Sequence, residues 1–173
     1  FLLAGYLSLV FTALNLMPIG QLDGGHVIYG LFGSKGHRLI AMTVFIVFVF
    51  FAGLGTIHPG IPSDDLIFSL PLYVGFLFFT FKGLKFHWKN TLIVTLVIFI
   101  AQYLTVYFIP STVGFGSWLL FAFLLGRFMG IYHPPAIMEE PLSTGRKILG
   151  WIAMIILVLC FTPVPIEINA FAQ

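Results

Sequence analysis

Apolar positions in this chain come as long uncharged runs, not as the alternating or one-faced patterns of water-soluble strands and helices. A run of about 17–25 residues can cross ~30 Å of hydrocarbon at 1.5 Å per residue. On that basis the pattern predicts spans at 1–17, 39–57, 66–81, 91–109, 113–129 and 148–161. Pro18 ends the first span, and a short helical stretch over 26–32 follows the Gly24-Gly25 pair. The third span is short and carries Pro71, and Lys82 and Lys85 can lengthen it by reaching toward the interface. Pro110-Ser111-Thr112 divides the fourth span from the fifth, while Pro163 and Pro165 stop the sixth. The expected fold is an all-α polytopic membrane protein with about six transmembrane helices. It forms one domain over 1–173, and its first helix is broken at the Asn15 to Gly24 segment.

Composition agrees with burial in lipid. Mean hydropathy is +1.08, 60% of residues are hydrophobic and only 8% are charged. Twenty-one Phe side chains could not all be left in water. A net charge of +2, scattered along the chain, does not suggest a nucleic-acid partner. Cys160 is the single cysteine, so no intrachain disulfide is possible. Phe1 opens directly in a span without an initiating Met, which reads as a segment with native sequence upstream. If six spans alternate, all eight basic residues fall on one side, among them Lys35, Arg38, Lys82, Lys85, Arg127 and Arg146. Asp64, Asp65 and Glu167 fall on the other. The positive-inside rule makes the basic side cytoplasmic and puts Asp23 at the cytoplasmic end of its helix.

The first charge in the chain is Asp23, after 22 residues without Lys, Arg, Asp or Glu. An acid at membrane depth is a functional candidate by default, and a carboxylate is a competent ligand for a divalent metal. Its neighbours have chemistry of their own. Pro18 breaks the helix so that freed backbone groups can line a cavity, and Gly24 and Gly25 allow close backbone approach or a plain turn. The Asn15 amide can donate to a substrate carbonyl or an oxyanion, or glue helices together. His26 can support Asp23 as a hydrogen-bond donor or sit as an interfacial polar residue.

Asn15-x-x-Pro18-x-x-x-Leu22-Asp23-Gly24 resembles the second motif of the site-2 protease family of intramembrane zinc metallopeptidases. The resemblance implies that Asp23 is the third protein ligand of a catalytic Zn2+. The other two ligands would be histidines of a His-Glu-x-x-His helix earlier in the chain, with its Glu as general base. It further implies a transmembrane protein substrate cleaved in or beside the lipid bilayer. The tail from His133-Pro134-Pro135 through Glu139 to Cys160 and Pro163 loosely resembles bacterial members and plastid relatives, and a bacterial cytoplasmic membrane is the expected location.

His26, His37, His58, His87 and His133 are the only histidines, no two lie three to five residues apart, and none precedes a Glu. They are expected to be dispersed over both membrane sides, so that no two gather beside Asp23, although His26 is near it in sequence. His58-Pro59 and His133-Pro134 are expected as rigid starts of loops on opposite faces. Glu139 and Glu140 read as part of a solvated charge cluster. With Asp23 as the one ligand placed, this stretch by itself is expected to be inactive. Two other readings fit the same residues: a non-catalytic membrane scaffold of the family, and a transporter with Asp23 as an ion or proton site.

Overall fold

The structure, a computed structural model, describes residues 1–134 and 142–162. Glu139, Glu140, Pro135, Pro163, Pro165 and Glu167 lie outside the described residues. Six α-helices follow in order: α1 (Leu2–Asn15), α2 (Asp23–Ala52), α3 (Ser63–Phe81), α4 (Trp88–Phe108), α5 (Ser117–Leu124) and α6 (Thr144–Cys160). A 3₁₀ turn, Lys82–Leu84, extends α3, and a π turn, Leu125–Met129, extends α5. Among the described residues there is no strand. The all-helical polytopic expectation is met.

Three stretches are long and apolar enough to cross a membrane: Asp23–Ala52, Ser63–Leu84 and Trp88–Phe108. Leu2–Asn15 and Ser117–Met129 are shorter apolar helices. At 1.5 Å per residue the 14 residues of α1 reach only about 21 Å. Its last two expected residues, Leu16 and Met17, are spent on a turn. Continuity is the main departure from the expected layout. The charges at Lys35 and Arg38 were expected to mark a loop, yet α2 runs through them, with a kink where Gly33 takes φ 69° and ψ −177°. Both basic side chains are exposed, so the helix keeps its backbone bonds without burying a charge.

α2 packs against α4, α5 and α6, α3 pairs with α4, and α1 rests on α6. Phe45, Val49, Leu77, Phe81, Leu84 and Ile131 are fully buried between these elements. At the end of α2 the Val49 carbonyl accepts from Gly53 N–H at 3.1 Å, and the carbonyls of a helix's last turn have capacity for partners from elsewhere. Gln102 of α4 adds one: Nε2 donates to the Val49 and Phe50 carbonyls, each at 3.0 Å. Tyr73 of α3 donates its hydroxyl to Gln102 Oε1 at 2.9 Å. This buried three-helix bond set fixes the far end of α2 and leaves its first turns to carry the site. Outward faces carry Leu2, Phe68, Leu72, Phe108 and Val158, all highly exposed, as suits lipid and not water.

Candidate functional site

The loop from Leu16 to Leu22 is held by its apolar residues. Met17, Ile19 and Leu22 are buried with the core cluster, and Pro18 and Gly20 are buried beside them. Apolar anchoring leaves the two polar residues of the segment at the surface, where Asn15 ends α1 and Asp23 begins α2. Asn15 Nδ2 donates to Asp23 Oδ2 at 3.3 Å, across eight residues of sequence. The α2 N-terminus favours the carboxylate through its unpaired N–H groups and macrodipole. The other carboxylate oxygen has no hydrogen bond to Asn15.

Close backbone approach shapes this turn. A Cβ on Gly24 would fall inside the Leu16 carbonyl oxygen, and one on Gly25 would collide with the Gly20 carbonyl. Both glycines are therefore required by space: α2 begins against the loop that precedes it. Asn15, Pro18, Leu22, Asp23, Gly24 and Gly25 thus form one compact unit.

Residues 1–54 match the model of peptidase family M50, the site-2 protease family. The matched stretch takes in α1, the loop and α2 to its last turn. The match covers 54 of the 173 residues. No curated protein and no solved structure matches the chain.

A strap from later in the chain covers the M50 segment. Gly20 N–H donates to the Ile131 carbonyl at 2.8 Å, and Ile131 is fully buried. Arg38 lies over the Tyr132 ring at 5.1 Å, and the Tyr132 hydroxyl donates to the Leu84 carbonyl at 3.3 Å. Burial raises the Tyr132 phenol above its ordinary range, with the Arg38 guanidinium pulling the other way. His133 then reaches α2: its Nε2 is 2.8 Å from His26 Nδ1, and its ring lies 4.6 Å from that of Tyr29.

Three of the five histidines come together in the structure. His26, His37 and His133 gather along the first half of α2, with the His37 and His133 rings 6.0 Å apart. The reason is the continuous α2, which holds His26 and His37, together with the strap that brings in His133. His26 therefore bonds His133, whereas the hydrogen bond to Asp23 comes from Asn15. His58 stays apart as expected, its Nδ1 accepting from Gly60 N–H at 3.2 Å in a local turn. Among the described residues no group of three or more His, Cys, Asp or Glu could hold a metal ion.

A cavity of about 560 Å³ lies on the other side of the M50 loop, between α2, α5 and α6. Met17, Pro18, Phe48, Phe51, Phe115 and Trp118 are among its walls. Neither Asn15 nor Asp23 lines it, so Pro18 separates an apolar chamber from the polar pair.

Proposed function

We propose that the protein is a membrane-embedded zinc metalloendopeptidase of site-2-protease type, hydrolysing peptide bonds of transmembrane substrates in or beside the bilayer. The observation that carries this reading is the Asn15–Asp23 hydrogen bond at the start of α2, inside the stretch that matches family M50. Asp23 suits a zinc ligand: it is exposed, acidic, at a helix N-terminus, and held by a neighbour's amide as ligating carboxylates usually are. The two histidine ligands and the general base of the family's His-Glu-x-x-His helix are not among the residues of this sequence. Zinc, when bound, supplies Lewis acidity toward the scissile carbonyl.

The chain's own residues do the positioning. Asn15 holds one Asp23 oxygen, which fixes the carboxylate's rotation, and the same amide has a second N–H for a substrate backbone carbonyl. Pro18, a wall of the apolar chamber that neither Asn15 nor Asp23 lines, sits in the buried loop that joins the two. This stretch by itself, without a His-Glu-x-x-His motif, is expected to hydrolyse nothing.

In proteoliposomes, cleavage of a membrane-helix substrate by the full-length protein should stop on zinc chelation and return on adding zinc. Asn15→Ala should lower turnover by about 10–100-fold while zinc content stays within a small fraction of the parent. Full turnover after chelation would remove zinc from the reaction, and full turnover in Asn15→Ala would remove the amide.

The orientation belongs to the same proposal: a bacterial cytoplasmic membrane, six crossings, and the Lys35, Lys85 and Arg146 segments in the cytoplasm. Cysteine labelling in a Cys160-free protein reads it directly. Position 85 should react only from the cytoplasmic face, and reaction from outside would reverse the arrangement.

A further inference from the structure

We infer that the His26–His133 contact is a pH-operated latch, which holds the end of the strap on α2 until both rings are charged and then lets it go. The latch concerns how the strap is fastened, so it stands apart from what Asp23 binds. The hydrogen bonds fix where the protons are. His133 Nδ1 lies against the Pro134 carbonyl, which can only accept, so Nδ1 carries a proton. In the uncharged pair His133 Nε2 is then the acceptor, and His26 Nδ1–H donates to it across 2.8 Å. One added proton still leaves a single hydrogen between the facing nitrogens. A second puts an N–H on each, and the contact becomes two positive rings with nothing to accept. Histidine is the side chain whose charge ordinarily changes between pH 5 and 8.

The surroundings do not offset that second charge. Tyr29 and His37 face His133 from α2, with ring centroids 4.6 and 6.0 Å away. His37 is 1% exposed and its Nε2 has no hydrogen-bond partner, so a proton on that nitrogen would bury an unpaired charge. On the strap itself, Tyr132 has the Arg38 guanidinium over its ring and hydrogen-bonds Leu84, between exposed Lys82 and Lys85. α6, which packs on α2, carries Arg146 and Lys147 in its first turn, both exposed. Asp23, a turn before His26 on α2, is the acid of this region among the described residues, and it takes the Asn15 amide. Positive neighbours therefore oppose a doubly charged pair.

The strap is held in two different ways. Ile131 is fully buried and its carbonyl accepts from Gly20 N–H, and the Tyr132 hydroxyl donates to the Leu84 carbonyl. None of these groups changes charge between pH 5 and 8. His133 is half-buried and meets an exposed partner. Release therefore frees the strap from His133 onward and leaves Ile131 seated.

The test uses the full-length protein in detergent with Cys160→Ser and spin labels on Lys35→Cys and Pro134→Cys, both exposed positions. The carbonyl that His133 Nδ1 meets is backbone, so it survives the change at 134. Pulsed electron paramagnetic resonance reads the distance between the labels. At pH 8 one narrow distance is expected, and at pH 5 a broader distribution lengthened by several ångströms. His26→Gln keeps a side chain that donates and accepts but takes no charge, so it should show the pH 8 distribution at both values. His26→Ala removes the bond and should show the pH 5 distribution at both. His58→Gln should respond as the parent does. A second label pair, at Lys35 and Ser63, should not change with pH. An unchanged parent distribution would overturn the latch, as would a full pH response in His26→Gln or a closed strap in His26→Ala. An equal pH response at the Lys35–Ser63 pair would show a change of the whole molecule, and that too would overturn it.

Discussion

Asp23→Ala is expected to abolish peptide-bond hydrolysis in the full-length protein, with turnover falling on the order of 10³-fold or more. On the proposed assignment of Asp23 as one of three protein ligands, its removal leaves the metal both loosely held and wrongly placed. Folding should be largely spared. Asp23 is exposed, and its hydrogen bond to Asn15 is a long one at 3.3 Å. Loss of an acid at a helix N-terminus costs about 0.3–1 kcal/mol, and most surface substitutions cost less. Zinc content, cleavage of a membrane-helix substrate and thermal unfolding would be measured on the same preparation. Asp23→Asn is the informative companion, since it keeps an oxygen for Asn15 but removes the charge. A variant that kept parental turnover would show that Asp23 is not the ligand.

The second large effect is expected at Gly24. Its missing Cβ is the space occupied by the Leu16 carbonyl oxygen, and backbone cannot step aside as the end of a flexible side chain can. Gly24→Ala must push α2 away from the loop, disturbing Met17, Ile19 and Leu22 in the core. Overpacking of this kind costs about 1–3 kcal/mol, and more where backbone must move. Thermal unfolding should shift down by several degrees, and cleavage should fall with it because Asn15 and Asp23 lose their spacing. Gly145→Ala is the control, since nothing lies within 4 Å of a Cβ there. Parental unfolding in Gly24→Ala would mean that the loop and helix are less tightly apposed than this geometry requires.

Spans were legible where the only signal needed was the length of an uncharged run. The fourth was read at 91–109 and is α4, Trp88–Phe108. A helix, α6 (Thr144–Cys160), lies where the sixth was read at 148–161, but it is not among the stretches long and apolar enough to cross a membrane. Charge misled at Lys35 and Arg38, because a kinked helix can carry exposed basic side chains without unwinding. Resemblance marked the segment from Asn15 to Gly24, and the structure adds the hydrogen bond that joins its two ends. The histidine cluster was not legible. His26 and His37 are eleven residues apart, which is three helical turns and the same face, but the glycine between them concealed that relation. His133 is 107 residues from its partner, and no local pattern reports a contact of that length.

That distance also sets an order of events during synthesis. A ribosome adds about 5–20 residues per second. The α2 turn bearing His26 therefore exists for roughly 5–20 s before His133 has been made. Over that interval the Asn15–Asp23 edge has its loop and helix but not its covering strap. The arrangement around Asp23 is completed only after α3, α4 and α5 have been translated, so a chain halted short of Ile131 carries the motif without its finished surroundings.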